Sequence, residues 1–271
     1  MAIELSAARY RYSGSGVAAL GPIDLRVEPG RVVGVAGANE SGKSTLCVVA
    51  AGVAPAVIGG RLDGSVRIDG VDAATLRPHE LAHRCGLLFQ HASTQLSHTT
   101  ATVFEEVAFG PCNLGLPVGE VVERVWWALG AVGVTALAPR DPGRLSGGQA
   151  QLVALASVLA LRPSYLILDE PTSELDPAGT RLITDALVRV ATETGAGILI
   201  AEHKLDVLAR IADEVVVLER GIVALAGPAA AVLGDPRLWE LGVEPPGPAL
   251  LKAAVLAAGI EWSASMAKAV E

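Results

Sequence analysis

The hydrophobic positions along the chain fall into two regimes. Up to residue 33 they come in short runs cut by turn residues, Ser13-Gly14-Ser15-Gly16, Gly21-Pro22 and Glu28-Pro29-Gly30. This pattern predicts short strands in an antiparallel edge sheet. From RVVGVAG onward, apolar strands alternate with helices. That strand leads into a glycine loop and a helix expected from Lys43 to about Val53, and a second β-like passage, SVRIDGVD, turns at Asp69-Gly70. From about Val103 to Leu137 the apolar residues recur at helical spacing, in VFEEVAFG and then PVGEVVERVWWALGAVGV, with Trp126 and Trp127 expected in a core or on a helical surface. After Pro142-Gly143 the alternation becomes regular. A helix runs from about Gly147 to before Pro163, followed by the strand YLILD and a helix with Asp176 as N-cap, Pro177 first and an end near Gly195. Then come GILIAE, the helix HKLDVLARIA, the strand EVVVLE and a turn at Gly221. Apolar strands alternating with helices make a parallel sheet covered on both faces. The tail, from about Gly227, has a Pro-rich break, VEPPGP, followed by an Ala-rich amphipathic helix.

Composition narrows the function classes. A chain of 271 residues, 51% hydrophobic, suffices for one large domain or for one domain with a small appendage. The net charge of -8 argues against a protein that grips nucleic acid or an anionic membrane, since both need a concentrated basic face. Cys47, Cys85 and Cys112 are widely spaced, with no CxxC pair, so neither a disulfide framework nor a zinc knuckle is suggested and a reducing cytosol fits. The start, MAIELSAARYRYSG, lacks the pattern of a signal peptide. Mean hydropathy is positive, but the stretch from Leu46 to Ile58 is short and contains Pro55, and the stretch from Pro248 to Ile260 is interrupted by Lys252. Any membrane connection is therefore expected to run through a partner.

Three constellations carry chemistry. GANESGKST, residues 37 to 45, has the Gly-four-Gly-Lys-Ser spacing of a phosphate-binding loop between a strand and a helix. Backbone N–H groups of such a loop converge on an anion, and the helix N-terminus adds favourable potential. Gly37, Gly42, Lys43 and Ser44 fill the required positions, with Lys43 placed for the β- and γ-phosphates and Ser44 for Mg²⁺. The nucleotide-contacting set extends over Asn39, Glu40, Ser41 and Thr45. Glu40 stands where small residues are usual, and is tolerated if its backbone fits and its side chain points outward. YLILDE supplies a second element, with Asp169 to hold Mg²⁺ through water and Glu170 to polarise the attacking water. LSGGQ, residues 145 to 149, opens a helix with Ser146 as N-cap, so Ser146, Gly147, Gly148 and Gln149 form another anion-binding helix start. Two phosphate-facing ends in one chain are explained if the second serves a nucleotide held by another subunit.

With these residues in view, the chain resembles the nucleotide-binding subunit of an ATP-binding-cassette (ABC) transporter, whose signature is LSGGQ. The resemblance implies an α/β fold, a P-loop NTPase with a mainly parallel sheet core, an antiparallel β edge subdomain and a helical subdomain at about 95–160. The cassette would span 1–227 and a C-terminal helical extension 228–271. Tyr12 matches the aromatic that stacks on adenine, with Tyr10 as close competitor. Gln90 matches the glutamine linking Mg²⁺ and the attacking water to a transmembrane partner, Asp176 the aspartate of the loop that crosses the dimer interface, and His203 the histidine that contacts the γ-phosphate. Residues 95 to 117, QLSHTTATVFEEVAFGPCNLGLP, and the tail GDPRLWELGVEPPGP are similar to the energy-coupling-factor (ECF) group, which imports vitamins and transition-metal ions. That likeness implies ATP and Mg²⁺ as cofactors. It also implies a second ATPase subunit, identical or paralogous, a transmembrane scaffold, a small substrate-capturing membrane protein, and a peripheral place on the cytoplasmic face of the membrane. The alternative is a soluble ABC-type ATPase acting on ribosomes or DNA, against which stand the single cassette, the lack of a long heptad run and the acidic charge.

Two departures and one decoy complete the reading. Leu152 stands where the family commonly has Arg or Lys, and HASTQ, residues 91 to 95, replaces a more usual acidic stretch. HELAH, residues 79 to 83, satisfies the HExxH zinc pattern, but a short helix after Pro78 with no metal is the expected reading.

Overall fold

The computed structural model describes residues 1–91, 94–257, 260, 261, 263 and 266, so Ala92 and Ser93 of HASTQ and most of the last ten residues lie outside it. Two sheets organise the chain. The smaller is antiparallel, in the order β2-β1-β4-β5, built from β1 (Ile3–Arg11), β2 (Leu20–Val27), β4 (Arg61–Ile68) and β5 (Val71–Asp72). The larger has the order β10-β9-β3-β8-β7-β6. Its strands are β3 (Val32–Gly37), β6 (Cys85–Leu88), β7 (Tyr165–Asp169), β8 (Gly197–Ala201), β9 (Glu214–Glu219) and β10 (Ile222–Pro228), all mutually parallel except β10. β3, β7 and β8 are buried along their whole length, as strands covered on both faces must be.

The helix α1 (Lys43–Ala50) lies between the sheets, and every residue in it except Ser44 is buried. A helix that is apolar all round belongs inside, and KSTLCVVA is such a helix beyond its first turn. Outside the larger sheet pack α3 (Val103–Asn113), α4 (Val118–Ala131) and α5 (Gly147–Leu159), followed in the chain by α6 (Pro177–Thr194) and α7 (Leu205–Ile211). Thr102 caps α3 in a capping box with Glu105, and Asp176 caps α6 by accepting the Gly179 N–H at 2.7 Å. Gly195, in the left-handed region, ends α6. After β10 come α8 (Ala229–Val232) and α9 (Gly247–Ala257), and Ala229, Val232, Leu238 and Val243 share one apolar cluster with Val215 and Val217.

Three element boundaries differ from the sequence reading. α1 stops at Ala50 instead of about Val53, because the N–H groups of Val53 and Ala54 both turn back to the Val48 carbonyl around Gly52 at φ +71°. α3 runs on past Gly110 to Asn113 before the break ahead of α4, where Gly115 adopts φ +74° and Pro117 follows. β4 begins at Arg61, ahead of SVRIDGVD, and crosses a bulge at Gly64, where a Cβ would fall 2.4 Å from the Ala7 carbonyl oxygen. HELAH does form a short helix, α2 (Pro78–Arg84).

Candidate nucleotide site

The carboxyl ends of β3, β7 and β8 lie side by side, with Asp169 paired to Ala201 and Val35 paired to Ala201 on the other side. Ligands of open parallel sheets bind outside such strand ends. A cleft of about 790 Å³ opens there, lined by Asn39 to Thr45 together with Gln90, Glu170 and His203.

The glycine loop owes its shape to backbone conformation. A Cβ on Gly37 would fall 2.4 Å from Ser41 Oγ and 2.5 Å from the Leu218 carbonyl oxygen, so only glycine fits at φ +152°. Glu40 has φ +62° and is exposed, at the margin of the cleft. Lys43 is buried, and its Nζ donates to the carbonyls of Gly37 at 3.0 Å and Ala38 at 3.1 Å. Burial lowers the Lys43 pKa, against the opposing pull of the Glu170 and Asp169 carboxylates.

Asp169 is buried at the end of β7, and its Oδ1 has no hydrogen-bond partner among the described residues. Burial raises its pKa, while the Ser44 hydroxyl is the neighbour that pulls it back. An oxygen-rich corner with an unsatisfied carboxylate beside a serine hydroxyl suits a hard cation such as Mg²⁺. Glu170 follows with φ +51°, a left-handed conformation uncommon for a non-glycine residue. One oxygen accepts from Gln90 Nε2 at 2.9 Å and the other lies 2.8 Å from His203 Nε2. Three residues from three separate segments thus meet at one carboxylate. The segment leading to Gln90 is held by Gln95, whose Oε1 accepts the Phe89 N–H at 3.0 Å and whose Nε2 donates to the Leu87 carbonyl at 2.9 Å.

Of the other residues singled out in the sequence, Tyr12 reaches the cleft through Thr45 and the rest do not line it. Tyr10 is fully buried, with its hydroxyl donating to the Gly59 carbonyl at 2.5 Å. Tyr12 packs edge-on with the Tyr10 ring at 4.9 Å between centroids, its hydroxyl lies 3.1 Å from Thr45 Oγ1, and of the two tyrosines it is the exposed one. Ser146, Gly147, Gly148, Gln149 and Asp176 do not line the cleft. Ser146 and Gln149 form a capping box on α5, and a Cβ on Gly147 would fall 2.6 Å from Glu174 Oε2. Leu152 is buried in the apolar cluster, where it packs and does not reach for an anion. In HELAH, Glu80 is tied to Arg77, which holds its pKa down at about 2, and no group of three or more His, Cys, Asp or Glu side chains able to hold a metal occurs among the described residues. The sequence reading missed Glu202 and Lys204, which bind the loops after β7 and β8 to each other, and Arg220, which lines the cleft from the β9–β10 turn. An acidic residue closing the wholly apolar strand GILIAE was the available signal for Glu202.

The sequence profile described as ABC transporter matches residues 20–173, more than half of the chain. The chain belongs to the ABC transporter family. ATP hydrolysis is the activity of that family's cassettes, and the matched residues include the glycine loop, Asp169 and Glu170. The nickel import ATP-binding protein NikO of Rhodobacter capsulatus is 43% identical over 243 residues, covering 86% of this chain and 91% of that one. A putative ABC transporter ATP-binding protein of Methanosarcina mazei is 40% identical over 239 residues, covering 88% of this chain. This cassette spans only about 40% of the length of that relative and of its counterpart in Methanosarcina acetivorans. Among solved structures, CbiO1 of Clostridium perfringens, described as part of the ABC transporter complex cbiONQ, superposes with a TM-score of 0.75 at 33% identity, covering 88% of this chain and 92% of that one. The cassette MJ0796, solved as a dimer, gives a TM-score of 0.74 at 25% identity over 84% of this chain and 98% of its own. No helix among the described residues is long and apolar enough to cross a membrane.

Proposed function

We propose that this cassette is the ATP-hydrolysing subunit of an ECF-type importer of a transition-metal ion or a vitamin, working on the cytoplasmic face of the membrane with a second ATPase subunit, a transmembrane scaffold and a small substrate-capturing membrane protein. The observation that carries the hydrolytic part is the meeting of Gln90, Glu170 and His203 at one carboxylate, beside the unsatisfied oxygen of Asp169. The likeness to NikO and to CbiO1 supports the import part.

In this reading the amides of the glycine loop and Lys43 hold the phosphates of ATP, and Tyr12 stacks on the base. Ser44, Asp169 and Gln90 would hold Mg²⁺, which when bound offsets charge on the phosphate oxygens. Glu170, accepting from Gln90 and set against His203, is placed to take a proton from the attacking water, and His203 to contact the γ-phosphate. Ser146, Gly147, Gly148 and Gln149 face the nucleotide of the second subunit, with Asp176 near the seam. Closure around ATP and reopening after hydrolysis form a two-state switch, passed to the scaffold through the Gln90 segment.

Two measurements test this. Glu170→Gln is expected to abolish ATP turnover while ATP binding persists, and hydrolysis at the wild-type rate removes Glu170 from the role of base. Affinity purification from detergent-solubilised membranes is expected to recover hydrophobic membrane proteins. Recovery of ribosomes or nucleic-acid proteins alone overturns the importer.

A further inference from the structure

Two side chains outside this chemistry lace together the loops that follow β7 and β8. Glu202, directly after β8, is only 2% exposed. Its Oε1 accepts both the N–H of Thr172 at 3.0 Å and the Thr172 hydroxyl at 2.7 Å, and its Oε2 accepts the N–H of His203 at 3.2 Å. Lys204 returns the connection, donating from Nζ to the carbonyls of Thr172 at 2.8 Å and Leu175 at 3.3 Å. The backbone anchors both loops to the sheet, through Glu202 N–H to the Val35 carbonyl at 3.0 Å and Glu170 N–H to the Ala201 carbonyl at 2.9 Å.

A buried carboxylate is costly unless its oxygens are satisfied, and removing one partner of such a set costs more than the set contributes. Here the groups that meet Glu202 are donors, which matches the ionised form, and they come from the two loops themselves. Burial raises the Glu202 pKa, while Thr172 and the Lys204 charge work against the rise. Packing alone does not call for a charge at this point, since the preceding β8 residues Leu199, Ile200 and Ala201 are apolar and fully buried. Thr172 lies between Glu170 and Asp176 in the chain, and His203 adjoins Glu202. The bonds therefore span from the loop carrying Glu170 and Asp176 to the loop carrying His203.

We propose that Glu202 and Lys204 are positioning residues, a reciprocal clamp that makes the Glu170–Asp176 loop and the His203 loop move as one unit. The clamp rests on the reading of Glu170 and His203 as the hydrolytic pair. It gives contact at Asp176 a direct route to the histidine, through Leu175, Thr172 and Glu202. Neither clamp residue needs to touch nucleotide.

The test is steady-state ATP hydrolysis by the full-length protein, with ATP binding measured separately, for Glu202→Ala, Glu202→Gln, Lys204→Met and the control His203→Ala. A positioning role predicts that Glu202→Ala lowers kcat about tenfold or more while KM for ATP stays within about twofold. Glu202→Gln still accepts from Thr172 but cannot accept from His203 N–H, so it recovers only part of the loss. Lys204→Met keeps the exposed stem, and is expected to fold and to lower kcat in the same sense, which decides the matter if Glu202→Ala does not fold. Wild-type kcat in Lys204→Met and in every folded Glu202 variant, with His203→Ala inactive, overturns the clamp. A raised KM at unchanged kcat also overturns it, since Glu202 would then support the nucleotide pocket alone. Wild-type kcat in His203→Ala overturns the hydrolytic reading first, and the clamp with it.

Discussion

Two helices of this cassette begin at glycines, and their first turns are finished in opposite ways. At α1, Gly42 takes φ +105° and no described side chain caps the helix. At α5, Ser146 Oγ accepts the Gln149 N–H at 3.3 Å, Gln149 Oε1 accepts the Ser146 N–H at 3.2 Å, and the Glu174 carboxylate stands against Gly147. Every helix start has orphan amides that some acceptor must satisfy. The α1 start keeps its donors uncapped by any described side chain, and Lys43 lies beside it on loop carbonyls. At the α5 start the Ser146 and Gln149 N–H groups are already taken by each other's side chains, which leaves the Gly147 and Gly148 amides as the donors of that turn. Under the proposed function, the difference separates a site that binds alone from a site that reports on a partner.

The largest effect should come from the α1 end. Lys43→Ala is expected to weaken ATP binding by about a hundredfold or more, from loss of a charge-assisted contact of about 3 kcal/mol, read by nucleotide titration. Because burial lowers the Lys43 pKa below its ordinary 10.5, the charged form is lost earlier than in a free lysine, and ATP affinity is expected to fall as pH rises before 10.5 is reached. Equal affinity in the variant would break the contrast between the two ends. The next effect belongs to α5. Ser146→Ala should leave ATP affinity of the single subunit unchanged and lower turnover, with a stability loss of about 1 kcal/mol from the missing cap, seen in thermal melts.

Glu174→Ala sharpens the same contrast in the opposite direction. Removing a carboxylate worth roughly 0.3–1 kcal/mol at a helix start should raise ATP-dependent association of two subunits by about two- to fivefold in sedimentation experiments. Unchanged or weaker association would mean that Glu174 does not compete for the Gly147 end. For Glu40→Gly the expectation is only an upper bound. Glycine suits φ +62° better than glutamate does, and the side chain is exposed, so ATP affinity should change less than tenfold, about 1.4 kcal/mol.

Much of the architecture was legible because it rests on local signals. The apolar runs YLILD and GILIAE could be only strands buried on both faces, and Asp176-Pro177 with Gly195 marked both ends of α6. The covered parallel sheet followed from these, while the fold class came with the family resemblance. Boundaries set by loop backbone were less visible, since the α1 end depends on Val53 and Ala54 turning back to one carbonyl. The convergence of Gln90 on Glu170, 80 positions away, depends on sheet order and cannot be read from spacing. Glu202 was overlooked because an acid at a strand end usually faces water, whereas here it turns inward to two loops.

The staple formed by Gln95 has a consequence beyond the angle of Gln90. β6 is an outer strand of the larger sheet, and an outer strand offers N–H and C=O groups to any other extended chain. By taking the Leu87 carbonyl and the Phe89 N–H, the amide of Gln95 acts as a one-residue substitute for a neighbouring strand. The same bonds that fix the segment leading to Gln90 thereby blunt a sheet edge against recruiting a foreign strand.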